Sequence, residues 1–136
     1  MPNETGGILM GYWSAGNAVV ITHAIGPGPG ARHTPYAFYP DVIFHDSEIE
    51  RVYTESGRLS TYLGDWHTHP HGANSMSQRD RKTLLNIASA PEARASKPLM
   101  AILSIRGDCS LAVWYWEGKH LLWKSRVSAG ELVVFK

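Results

Sequence analysis

At 136 residues and 43% hydrophobic side chains, the chain can bury one real core without disulfides or a second domain, so a single domain over residues 1–136 is expected. A formal charge of +1 gives no field that would favour nucleic acid or an anionic membrane. One cysteine excludes an internal disulfide framework, and the absence of a signal-peptide pattern or a bilayer-length apolar run points to the cytoplasm.

Clusters of β-branched and apolar residues predict strands at Gly6–Tyr12 and Ala18–Ile25. Gly26-Pro27-Gly28-Pro29-Gly30 ends the second and opens a loop to Pro40 that is long for a compact domain, which marks Gly26–Tyr39 as a binding element or a mobile surface loop. A helix follows over Phe44–Ser56: Ser47-Glu48-Ile49-Glu50 resembles a capping box, Ile49, Val52 and Tyr53 share a face, and Gly57 closes it. The strand Ser60–Trp66 then delivers a histidine pair, and a helix beginning at Ser77 carries Leu84, Leu85, Ile87 and Ala88 before Pro91. Strands at Leu99–Ile105, Ser110–Trp116, Leu121–Val127 and Leu132–Phe135 complete the chain, with hairpin turns at Gly107-Asp108 and Glu117-Gly118. The sum is a mixed sheet with two helices, an α/β sandwich.

The chemistry concentrates in His67-Thr68-His69-Pro70. Alternate residues of an extended chain point the same way, so both imidazoles can face one metal while Thr68 faces elsewhere. Ser77-Gln78-Arg79-Asp80 alone describes a capped helix start with an acid in the first turn. The histidines just upstream make Asp80 the expected third ligand, since a strand-loop-helix of this length can return it to them. Three protein ligands and an open fourth position characterise hydrolytic zinc sites rather than structural ones.

His67-x-His69-Pro70 and Ser77-x-x-Asp80, with Glu4 in Glu4-Thr5-Gly6-Gly7-Ile8-Leu9-Met10-Gly11, resemble the signature of JAMM, or MPN-type, metalloproteases, in element order over nearly the whole chain. The resemblance implies an MPN-like (cytidine-deaminase-like) α/β fold. It also implies a Zn2+ isopeptidase acting after the C-terminal glycine of a ubiquitin-like protein, in conjugates or precursors. By the same carry-over His67, His69 and Asp80 are the zinc ligands, Glu4 the general acid/base and Ser77 a hydroxyl that stabilises the oxyanion. Only Met1-Pro2-Asn3 precede Glu4, so the family's preceding helix and strand would be missing or truncated, leaving apolar surface for a homodimer or partner. Bacterial relatives accompany ubiquitin-like conjugation systems, some in anti-phage operons, which makes conjugation enzymes of one operon the expected partners. In the family, substrate tails lie extended beside the zinc, and Arg32, His33, Tyr36 and Phe38 would contribute to that groove.

Other residues carry plainer expectations. Trp66 points away from the histidines and supports packing; Trp114, Tyr115, Trp116 and Trp123 are cross-strand aromatics rather than a nucleic-acid stacking surface. Cys109 fills a strand; His71 borders the site in a loop; His23, His33, His45 and His120 lack metal spacing. Three alternatives share part of the pattern: a RadC-like protein linked to DNA, a non-catalytic MPN scaffold, and an iron(II) site of two histidines and one carboxylate.

Overall fold

The structure, a computed structural model, describes residues 2–15, 18–95, 97–119 and 125–130. Its elements run β1 (Gly6–Trp13), β2 (Val19–Ile25), β3 (Arg32–His33), β4 (Phe38–Tyr39), α1 (Val42–Glu55), β5 (Thr61–His69), α2 (Gln78–Ser89), β6 (Leu99–Ser104), β7 (Ser110–Lys119) and β8 (Ser125–Gly130). Six strands form one sheet in the order β2-β1-β5-β6-β7-β8, and β3 pairs with β4 in a separate two-stranded ribbon. All pairings are antiparallel except β5 with β6, whose connection carries α2 across one face.

The register assigns the faces. Ile8 lies opposite Asp65, Asp65 opposite Met100 and Met100 opposite Trp114, so these residues share one face, and His67 and His69 follow Asp65 on it by strand alternation. Both helices pack there. Val52, Phe44 and Ile49 of α1 meet Ile8, Met10 and Ile25, while Leu84, Leu85 and Ala88 of α2 meet Met100, Ile102, Trp114 and Trp116. The opposite face buries Leu9, Leu63, Leu99, Ala101 and Val113 under Val19, Ile21, Trp66 and Tyr115. The mixed α/β class is as expected. Among the described residues no helix is long and apolar enough to cross a membrane.

Several boundaries differ from expectation for local physical reasons. Helix α1 starts at Val42 because the Asp41 side chain accepts the Phe44 N–H at 3.1 Å, so Asp41 is the cap and Ser47 lies inside the helix. It ends as expected near Gly57, whose φ of 68° stops the helical winding. Strand β5 continues through both histidines rather than stopping at Trp66. Glu117 and Gly118 sit within β7, where a register shift between Trp116 and Gly118 takes the place of the expected turn. The Gly107 turn stands, at φ 70°. The expected strand Leu132–Phe135 and the start of Leu121–Val127 lie outside the described residues.

Candidate metal centre and its cleft

Strand β5 and the first turn of α2 bring three ligand-bearing side chains together. His67 Nε2 lies 2.9 Å from His69 Nε2 and 3.0 Å from Asp80 Oδ1, and His69 Nε2 lies 3.3 Å from Asp80 Oδ2. A tetrahedral ion with metal–nitrogen bonds near 2.0–2.1 Å separates its donor atoms by roughly 3.3–3.4 Å, so the two imidazole nitrogens and the Asp80 carboxylate, which meets them through different oxygens, stand at about the spacing of a small ion's ligands. His67 and Asp80 are buried and His69 is half-buried.

Tautomer and charge fit the same role. A carbonyl can only accept, so the 2.8 Å contact of His69 Nδ1 with the Ala73 carbonyl keeps a proton on Nδ1; in the charged ring Nε2 carries the second proton toward Asp80, and once that proton is lost Nε2 is the atom able to ligate a metal. Burial opposes ionisation of Asp80, but hydrogen bonds from His67 and His69 and from the Ser77 backbone outweigh it, holding the carboxyl well below the usual carboxylate range. The hydrogen bond to Asp80, reinforced by the Ala73 carbonyl, raises His69 above an ordinary imidazole. Two imidazoles and an ionised carboxylate form the donor set that zinc accepts.

Asp80 serves the helix and the cluster at once. Its Oδ2 accepts the Ser77 N–H at 3.0 Å while Ser77 Oγ accepts the Asp80 N–H at 3.1 Å, a complete capping box. The loop behind His69 is equally fixed: Ser104 Oγ donates to the Gly72 carbonyl at 2.7 Å, Asn74 Nδ2 to Ser110 Oγ at 3.1 Å, and Trp114 Nε1 to the Asn74 carbonyl at 3.0 Å. Trp114 therefore supports the loop that orients His69, and is not a stacking platform. Trp66 packs on the second face and donates to the Ile25 carbonyl at 2.9 Å. Cys109 is exposed in the β6–β7 connection rather than inside a strand.

Glu4, three residues from the first methionine, is held on both sides. Its N–H donates to the Thr34 carbonyl at 2.7 Å, and the next residue is bound to β5: Thr5 N–H donates to Thr68 Oγ1 at 3.0 Å and Thr68 N–H to the Thr5 carbonyl at 2.8 Å. Glu4 lines a cleft with His67, Arg79 and Asp80. Burial raises its pKa above 4.5, against the opposing pull of His67 and His69.

That cleft, about 620 Å³, runs from the cluster between α1 and α2 along the sheet, with Phe38, Tyr39, Val42 and Ile49 on one side and Thr83, Ile87, Ala90 and Ala93 on the other. Its floor includes residues that sequence reasoning did not assign to the site. Tyr62 Oη donates to Asp65 Oδ1 at 2.5 Å, and buried His45 donates through Nε2 to the Gly26 carbonyl at 2.8 Å. Burial raises the Asp65 carboxyl and, with the Asp65 charge, raises the Tyr62 phenol, which keeps its proton as a donor. Two-residue alternation back from His67 was the available signal for Asp65. Tyr36, on the loop between β3 and β4, packs on His71 with ring centroids 5.7 Å apart.

A two-helix, single-face α/β domain with a His-His-Asp cluster at the mouth of a cleft is the class this molecule defines. The chain belongs to the family described as prokaryotic homologs of the JAB domain, whose model matches residues 1–116. It is 50% identical over 101 residues to a Sinorhizobium fredii protein named "Probable metalloprotease y4qB", covering 74% of this chain and 62% of that one. It is 29% identical over 119 residues to a protein of Escherichia coli named CD-NTase/cGAS isopeptidase, covering 87% of this chain and 68% of that protein. The chain thus spans roughly three fifths to two thirds of the length of these relatives. In fold it is similar to the solution structure of protein DSY2949 from Desulfitobacterium hafniense, at TM-score 0.68 and 18% identity over 98% of this chain and 79% of that one.

Proposed function

We propose that this chain is a zinc-dependent isopeptidase that hydrolyses the amide bond following the C-terminal glycine of a ubiquitin-like protein. The observation that supports it is the convergence of His67, His69 and Asp80 at one end of a cleft that Glu4 also lines. These three side chains would hold the zinc. When bound, zinc supplies a Lewis acid that polarises the scissile carbonyl and acidifies water to a pKa of about 7.

The protein's own groups divide the remaining work. Glu4 accepts the proton of the attacking water on its carboxylate and delivers it to the departing amine as the C–N bond breaks. Ser77 Oγ already accepts the Asp80 N–H, so its hydroxyl hydrogen is free to donate to the oxyanion of the tetrahedral intermediate. The apolar part of the cleft wall, with Phe38, Val42, Ile49 and Ile87, seats the extended substrate tail. Water is the nucleophile, so Cys109 has no part in the reaction.

The relatives' names favour a second substrate: CD-NTase/cGAS isopeptidases in Escherichia coli, Pseudomonas aeruginosa and Vibrio cholerae suggest a conjugate of a CD-NTase as the target. Both substrates are tested together. Purified protein is incubated with a ubiquitin-like protein fused through its terminal glycine to a fluorescent protein, and separately with a ubiquitin-like protein joined to a CD-NTase. The expected result is cleavage after the glycine that a chelator abolishes and zinc restores. Glu4→Gln should keep zinc and lose turnover; chelator-resistant cleavage, or a fully active Glu4→Gln variant, would refute the mechanism.

A further inference from the structure

The geometry points to His33 as the positioning residue that fixes Glu4 for proton transfer, a role that rests on the reading of Glu4 as the general base. Glu4 precedes β1 and so has no place in the main sheet. Outside the sheet its backbone groups need other partners to hold them. The β3–β4 ribbon supplies the tie. Thr34 accepts the Glu4 N–H through its carbonyl at 2.7 Å, and His33 Nδ1 lies 3.1 Å from the Glu4 carbonyl. The carbonyl can only accept, so Nδ1 is the donor. In an ordinary antiparallel pair the second bond would come from a backbone N–H; here an imidazole completes it.

The ring and the turn that make these contacts are themselves braced. Thr34 N–H donates to the Ala37 carbonyl at 2.9 Å and Thr34 Oγ1 to the same atom at 3.2 Å, which fixes the carbonyl facing Glu4. His33 pairs across the ribbon with Phe38, with ring centroids 5.4 Å apart. Phe38 in turn presses on Gly6, where a Cβ would meet the Phe38 ring and the Trp66 carbonyl. His33 is thus held from behind by a side chain that rests on β1, two residues beyond Glu4. Histidine was expected at this position in a surface or groove role; its contact with the main chain of the base assigns it a more specific one.

The test compares His33→Ala, His33→Asn and His33→Gln with wild type. Asn presents an amide nitrogen near the position of Nδ1, whereas Gln extends it toward Nε2. Hydrogen exchange of the peptide spanning residues 2–7 is measured on zinc-loaded protein, with zinc content and kinetics on the ubiquitin-like fusion. His33→Ala should exchange this peptide about tenfold faster, because few contacts outside the sheet hold it. It should retain zinc and lower kcat by about 10- to 100-fold with KM changed less than about twofold, as misplacement of a catalytic group does. Asn should restore both readouts and Gln neither. Unchanged exchange, or a His33→Ala variant with wild-type kcat beside an inactive Glu4→Gln, would overturn the role of His33. Equal activity of Glu4→Gln and wild type would refute the base itself, and the exchange rates would then show whether His33 holds residue 4 at all.

Discussion

At the level of single residues the site joins two kinds of signal. Ser77 and Asp80 are three apart, and their reciprocal bonds are written in local spacing, so the cap was legible and its second use followed once His67 and His69 stood two apart on a strand. Glu4 was legible only through resemblance, because the groups that hold it come from residues 33, 34 and 68, which no local pattern connects to it. Replacing Ser77 with Ala removes the acceptor for the Asp80 N–H and should cost about 1 kcal/mol in unfolding free energy, with Thr recovering most of it. Denaturant melts check this, and a loss no larger than that of a neutral surface substitution would contradict it.

Charge gives a second residue-level expectation. In the metal-free protein the raised His69 contributes stability that is full below 6.5 and is lost as pH rises through its folded value. The lowered Asp80 contributes stability present above 3.8 and lost as pH falls. Zinc requires the His69 ring without its second proton, so the gain in Tm on adding zinc should grow from about pH 6 to about pH 8, as proton release becomes easier. Paired melts with zinc or chelator at each pH measure it; a gain that shrinks with rising pH would exclude ligation through His69.

Among the elements, the helices and long strands were legible and the β3–β4 ribbon was not. Alternation needs several residues to register, and each of these strands has two, so the stretch after Gly26-Pro27-Gly28-Pro29-Gly30 read as loop. The start of α1 was misplaced for a related reason: Ser47 offered a capping pattern inside the helix, while Asp41, the true cap, also accepts the Gly30 N–H at 2.7 Å and so ties the glycine-rich turn to the helix. The ribbon is joined to α2 through Tyr39, whose ring lies 4.9 Å from the Arg32 guanidinium and 5.7 Å from that of Arg79. Each such contact is worth about 0.5–1 kcal/mol at an exposed site. Tyr39→Ala should therefore speed limited proteolysis between residues 26 and 40 with only a small shift in Tm; an unchanged cleavage pattern would mean that the ribbon is held without it.

Over the whole molecule, the order β2-β1-β5-β6-β7-β8 sets β5 in the interior of the sheet and both helices on the face that the histidines share. The mixed α/β class was readable from the succession of elements, but strand order and facing were not, since they depend on pairings between distant segments. Because the cleft passes between the helices, its far end can be obstructed without touching the cluster. Ala93→Trp should lower kcat/KM on the ubiquitin-like fusion by about tenfold or more through substrate exclusion, with zinc content unchanged. Wild-type kinetics from a folded Ala93→Trp protein would mean that the substrate does not use that end.

The interior position of β5 bears on how the protein would hold together without a metal ion. Its backbone is bonded to β1 on one edge and to β6 on the other, and Leu84 of α2 is wholly buried against Met100 and Ile102. The platform is thus assembled by packing and hydrogen bonds, unlike small zinc modules whose folding energy is the binding energy of the metal. Stripping the ion should leave an intact but inert domain, and hydrolysis should return on simple titration with zinc, with no refolding step in between.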